Sequence, residues 1–243
     1  MNLEKVIPAY WHRSINFGDQ LTKYIIEKLS GYKVIYCDHI NDCSRLMATG
    51  SILSEGNLDK SIIWGNGFAW YADPVYKPLQ ILAVRGKLTR KKFIDSGINC
   101  PEVYGDPALL LPSIHNPLIN KKYKLGIIPH LIDYEKVKWE YEGNNIVIDL
   151  REPIETVINN ILQCEKIISS SLHGIIVSQA YGIPTAWVKF SSKIIGDDFK
   201  FHDHFSICEQ QGAYKMKDVN QAIDIPAAPQ FNTSELLKCF PHV

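Results

Sequence analysis

The chain has no excess of charge of either sign: 26 lysines and arginines meet 26 aspartates and glutamates. That balance excludes the broad basic field on which sequence-independent nucleic-acid binding depends. No apolar run approaches the ~18 residues needed to cross a bilayer. Met1 to Ile7 lacks the long hydrophobic stretch of a secretory leader. The expectation is a cytoplasmic protein, free or peripheral at the inner membrane face. Six cysteines, at 37, 43, 100, 164, 208 and 239, form no CxxC pair and keep no zinc spacing with histidine. Reduced, mostly buried thiols are expected. No acidic cluster suggests a metal site. His202-Asp203-His204 is the one tempting triplet, but adjacent side chains diverge and chelate poorly, so it reads as a solvated loop. Internal repeats and low-complexity segments are also missing.

What is present is apolar content, 46% of 243 residues, enough for a sizeable core. Strand and helix patterns alternate. A helix is expected over Gln20 to Leu29, with strands at Val34–Tyr36, Leu46–Ser51, Ser61–Gly67 and Ile81–Gly86, then a helix over Lys87 to Asp95. Pro112 to Lys124 is polar and reads as a linker. Beyond it come strands at Tyr123–Pro129, Asn145–Asp149, Lys166–Ser169 and Thr185–Val188, with helices over Ile154–Cys164 and Gly174–Tyr181. Met216–Ile223 and Thr233–Phe240 are amphipathic candidates. The pattern predicts an α/β protein of two Rossmann-like halves facing across a cleft, residues 1–115 and 116–243, with the final helices packing back on the first half.

Many of the apolar runs end in glycine beside a polar residue. In a parallel sheet such ends share one edge, where ligands bind. Gly50-Ser51 and Gly65-Asn66-Gly67 read as ligand-approach turns, or as plain strand-to-helix turns. The most informative stretch is Ser169-Ser170-Ser171-Leu172-His173-Gly174, a polar turn entering a helix. A helix start favours an anion, and this one adds an imidazole.

Five elements in order resemble the polysaccharide pyruvyltransferase family. Asn16-Phe17-Gly18-Asp19-Gln20-Leu21 is similar to its NxGDxL opening. Val84-Arg85-Gly86 with Thr89, Gly105-Asp106-Pro107-Ala108-Leu109 and Ile127-Ile128-Pro129-His130 resemble its next three segments. The serine–histidine turn with Gly182-Ile183-Pro184 resembles its SxxLHG and GxP signature. Two departures stand out. Ser171 occupies a position where many members carry arginine, and the chain is short for the family. The resemblance implies a GT-B-like fold, with the acceptor on the first half and the donor on the second. It implies transfer of a pyruvyl group from phosphoenolpyruvate, a co-substrate and not a resident cofactor, to sugar hydroxyls as a ketal. The acceptor would be a glycan, free or lipid-linked.

Such chemistry requires a general acid, a general base and a cationic clamp. Arg85 reads as the clamp, or as a strand-end arginine paired with an acid. His173 reads as the acid or a phosphate-holding cation, or as a helix-start core histidine. Asp19 reads as the base, or as a helix cap beside Asn16 and Gly18. Ser170, Ser171 and Gly174 would help hold phosphate, with Ser169 behind them. His130 and Lys193 would face the same cleft. Asp106 reads as structural, and the acids from Asp197 to Asp203 as weak contributors of charge. Trp64, Phe68, Trp70 and Tyr71 read as a sugar platform or as core. Two rival functions stay open. One is a nucleotide-sugar-dependent glycosyltransferase, with Glu165 as the ribose-binding acid. The other is a non-catalytic glycan- or anion-binding module.

Overall fold

The computed structural model describes residues 5–140, 145–194, 196–208, 215–216 and 225–241. The chain builds two five-stranded sheets in which every strand pair is parallel. The first contains β1 (Val6–Ala9), β2 (Lys33–Tyr36), β3 (Arg45–Met47), β4 (Ser61–Trp64) and β5 (Gln80–Ala83), in the order β2-β1-β3-β4-β5. The second contains β6 (Tyr123–Ile128), β7 (Ile146–Val147), β8 (Cys164–Ser169), β9 (Thr185–Val188) and β10 (Lys215–Met216), in the order β10-β9-β8-β6-β7. Counted within each half, both sheets run 2-1-3-4-5. In that order the crossovers leave the first strand in opposite directions, which opens a crevice at the carboxyl ends of strands 1 and 3. The topology therefore makes two crevices, beyond β1 and β3 and beyond β6 and β8.

The α/β alternation expected from the sequence is present, with two strands the pattern hid, β1 and β10. β1 carries Pro8, which interrupts the apolar run and cannot donate to a ladder. It is accommodated because β3 pairs with β1 only at Ala9↔Leu46, one residue beyond the proline.

The helices are α1 (Phe17–Ser30), α2 (Lys87–Asp95), α3 (Leu111–Ile114), α4 (Tyr134–Glu140), α5 (Ile154–Leu162), α6 (Leu172–Ala180), α7 (Phe199–Phe205) and α8 (Ser234–Lys238). α1 starts where the Asn16 side chain accepts from the Gly18 N–H at 2.9 Å, and it stops at Gly31, whose φ of 71° lies in the left-handed region. Leu21, Ile25 and Ile26 bury one face of it. α6 is buried from Leu172 to Gln179. It packs on β8 and β9, on α1, and on the 3-10 turn Pro107–Leu110 of the first half. A helix enclosed on all sides needs an apolar sequence all round, which explains the run Ile175-Ile176-Val177.

One hydrophobic core runs through both halves and joins Phe17, Leu21 and Trp64 to Ile128, Ile175 and Trp187. Three ties reinforce it. The Phe17 N–H donates to the Leu150 carbonyl at 2.8 Å. The Trp64 indole donates to the Leu236 carbonyl at 2.9 Å, with the Phe240 ring 4.8 Å away, so α8 lies on the first sheet. Asp203 of α7 caps α2 by accepting from the Thr89 N–H at 2.8 Å.

Two expectations are corrected. Cys37 and Cys43 form a disulfide across the turn between β2 and β3, while Cys100 and Cys164 are free and buried and Cys208 and Cys239 are free and partly buried. His202-Asp203-His204 is helical, with Asp203 and His204 fully buried. Of the two amphipathic candidates, Thr233–Phe240 contains α8, and Met216–Ile223 lies outside the described residues except for Met216. Among the described residues no helix is long and apolar enough to cross a membrane.

Candidate active site

The two crevices open into one polar cavity of about 400 Å³. From the first sheet come His12, Asn16 and Asp19 beyond β1, then Gly50, Ser51, Ser54 and Glu55 beyond β3, and Ala69, Trp70 and Asp73 beyond β4. From the second come His130 beyond β6 and Ser171, Leu172 and His173 beyond β8. Lys200 of α7 completes the lining.

His173 is held where the two crevices meet. Its ring lies against Gly18, and a β-carbon there would collide with the imidazole. Its Nε2 faces Asp106 Oδ2 at 3.4 Å, and neither atom makes a hydrogen bond among the described residues. The other Asp106 oxygen accepts from the Ala108 N–H at 2.9 Å, which locks the carboxylate at the start of the 3-10 turn. A buried acid thus sits beside an imidazole that is 11% exposed. Asp106 was expected to be structural; it is that, and it also partners the histidine.

The serine turn is built from its own hydroxyls. Ser169 Oγ lies 2.9 Å from both the Ile128 and Ser171 carbonyls, which share its one proton, and accepts from the Ser171 N–H at 2.9 Å. Ser170 Oγ accepts from the His130 N–H at 2.8 Å. Ser170 is fully buried, and Gly174 packs on Ser169 and Ile128, so neither meets the cavity and only Ser171 does. His130 lines it, and burial, followed by the charge of Lys200, pushes its pKa down.

Asp19 lies in the first turn of α1 and accepts from Ser14 Oγ at 2.5 Å. Asn16 caps the helix, so Asp19 is not the cap. The sequence reading passed over a second imidazole–carboxylate pair on this wall. His12 Nε2 is 2.5 Å from Glu55 Oε2, and that hydrogen bond raises the His12 pKa. Tyr10 also donates to Glu55, at 3.3 Å. The signal was weak, since His12 and Glu55 are 43 residues apart and belong to no common motif.

Arg85 stands behind the cavity and is not part of its lining. It is fully buried and its guanidinium is committed to protein groups. Nε donates to Asp203 at 2.9 Å, Nη1 to Ser51 Oγ at 2.5 Å and Nη2 to the Phe68 carbonyl at 2.7 Å. It is a bracket behind the cavity wall that positions Ser51. Gly65, Asn66 and Gly67 belong to the same support and do not line the cavity. Asn66 donates to the Thr49 carbonyl at 2.7 Å, Gly67 donates to the Gly50 carbonyl at 3.1 Å, and Gly65 packs on Pro107. Gly86 is needed because Asp203 sits against it. Lys193 is exposed on a loop outside the cavity.

Trp64 and Phe68 are core, Tyr71 is exposed, and Trp70, 39% exposed, stands at the cavity rim. Asp197 accepts from the Tyr71 N–H at 2.8 Å and Asp198 pairs with Lys189 at 2.6 Å, so both serve the loops around α7. Glu165 is exposed at the amino-terminal end of β8, at the opposite edge from the cavity. Lys200, which the sequence reading missed, sits among Phe199, Phe201 and Phe205, and a lysine inside an aromatic run was its one signal.

A family model for polysaccharide pyruvyl transferase matches residues 10–192. Uncharacterized protein L143 of Acanthamoeba polyphaga mimivirus is 33% identical over 215 residues, covering 82% of this chain and 72% of the viral protein. Succinoglycan biosynthesis protein ExoV of Rhizobium meliloti is 30% identical over 214 residues, covering 81% of this chain and 63% of ExoV. The matched span takes in both crevices and every cavity residue except Lys200. The chain belongs to the polysaccharide pyruvyl transferase family.

Proposed function

We propose that the chain transfers a pyruvyl group from phosphoenolpyruvate to two hydroxyls of a glycan and forms a cyclic ketal. The observation that carries this reading is the His173–Asp106 pair, set where the carboxyl ends of both sheets meet in one cavity. Family membership and the ExoV relative support it.

His173 protonates C3 of the donor, which makes C2 electrophilic. A first sugar hydroxyl adds to C2 and gives up its proton to a carboxylate of the first wall, for which Asp19 is the candidate. Phosphate leaves with the C–O bond electrons, a second hydroxyl adds, and its proton departs with the phosphate or to the same wall. One phosphoenolpyruvate and one diol become one ketal and one phosphate. Asp106 holds the imidazole in place and offsets its positive charge while it carries the proton.

In this reading residues 1–115 form the acceptor side and 116–243 the donor side of a GT-B-like pair. Trp70 offers its face to the sugar ring at the rim, where His12 and Glu55 also face the acceptor. The position of Glu165 away from the cavity argues against the nucleotide-sugar alternative.

The test is phosphate release from phosphoenolpyruvate with a panel of glycosides, with the product read by mass spectrometry. Glycoside-dependent release and a pyruvylated product are expected. Release of nucleoside diphosphate from nucleotide sugars instead, or tight glycan binding with no turnover, would replace the reading with one of its rivals.

A further inference from the structure

An anion with both a carboxylate and a phosphate needs a cation in the cavity, and Arg85 is committed elsewhere. Lys193 does not line the cavity. Among the described residues that line the cavity, Lys200 alone is a lysine or arginine. We propose that Lys200 is the cationic group that holds the anionic end of the donor. This rests on the pyruvyl-transfer reading for the identity of the anion, and on the geometry alone for the identity of the cation.

The helix that carries Lys200 is bolted to both walls. Asp203 joins it to Arg85 and to the Thr89 N–H and hydroxyl of the first half, at 2.9, 2.8 and 2.7 Å. His204 meets the Gln179 side chain of α6 at 2.8 Å, on the helix that presents His173. Phe201 stacks on Trp187 with ring centres 4.4 Å apart. The ammonium is therefore delivered from a fixed backbone, which reduces the ordering that binding would otherwise require. It lies within electrostatic reach of Asp19 on one wall and His130 on the other. Burial, with Arg85 behind it, lowers its pKa to about 8, against the pull of Asp19 and Asp198. An arriving anion favours the charged form of such a lysine. Lys200 also falls beyond the span matched by the family model, which ends at 192. The cation is thus supplied from a segment outside that span, in a chain whose Ser171 brings no charge to the histidine turn.

Two measurements on the full chain test this. Calorimetric titration with phosphoenolpyruvate should show Lys200→Gln weakened by roughly tenfold or more, the loss expected of one charge-assisted hydrogen bond. Lys200→Arg should stay within about threefold of wild type, and Lys136→Gln, on exposed α4, should be unchanged. Lysine labelling of the wild-type chain, read by mass spectrometry, should show Lys200 protected by phosphoenolpyruvate; this needs no variant to fold. Wild-type affinity in Lys200→Gln, or labelling of Lys200 that neither phosphoenolpyruvate nor inorganic phosphate reduces, overturns the assignment. Protection by inorganic phosphate but not by phosphoenolpyruvate supports the cation and overturns the donor reading alone.

Discussion

The two sheets have the same strand order, yet their crevices differ in charge. The crevice of the first sheet sets three carboxylates, Asp19, Glu55 and Asp73, beside His12, Ser51 and Ser54. The crevice of the second lines the cavity with Ser171, His130 and His173 and, among the described residues, with no carboxylate. The supports differ as well. The first wall is backed by a long-range polar frame of Thr22, Thr49, Asn66, Arg85 and Asp203. The second wall is held mainly by short-range bonds inside one serine turn. Topology thus fixes where ligands can sit, and the residues at the strand ends decide what they are.

That contrast can be broken experimentally, beginning with its acid. His173→Gln should reduce phosphate release by about 10³-fold at saturating donor, as expected for loss of a positioned proton donor. Steady-state kinetics beside an unchanged melting curve would check it, and near-normal kcat would remove the second wall from the chemistry. Arg85→Met addresses the frame of the first wall. It leaves the Asp203 carboxylate buried without its cation, so a loss of about 3–5 kcal/mol is expected in denaturant titration. A clamp would behave in the opposite way, with stability kept and donor binding lost.

Asp19→Asn preserves shape and its contact with Ser14, so it isolates basicity. If the acidic wall takes the acceptor proton, kcat falls about 10²-fold; unchanged kcat transfers that task to Glu55 or Asp73. The dependence of folding on pH probes the helix between the walls. Burial pushes the pKa of His204 down to about 3 from an ordinary 6.5. Between those values the unfolded chain binds a proton that the folded one does not. Stability therefore falls as pH drops below about 6.5, by at most ~1.4 kcal/mol per unit. His204→Gln should flatten that acid limb in thermal melts across pH. The smallest effect is expected at the rim: Trp70→Ala should raise KM for the acceptor about threefold and leave KM for phosphoenolpyruvate unchanged.

Local features were legible from the residues. α1 covers the helix expected over Gln20 to Leu29, although Asn16 and not Asp19 caps it, and the serine–histidine turn sits between β8 and α6 as its pattern implied. β1 was hidden because its proline argues against a central strand. The errors at the site share one cause. Periodicity says which apolar residues turn inward but not which polar ones do. Arg85 looked available because its partner Asp203 lies 118 residues away, and Asp203 looked solvated for the same reason. The Asp106–His173 pair was divided between two motifs that sequence alone could not bring together.

Trp64 and the Leu236 carbonyl are 172 residues apart along the chain. During synthesis the first sheet emerges long before the segment that covers this indole, a delay of roughly 10 to 30 seconds at ordinary elongation rates. Until then a large aromatic surface stays bare and its N–H lacks its final acceptor. Burial of this face of the amino-terminal sheet thus waits for α8 to leave the ribosome, and the bare indole is open to wrong contacts in that interval.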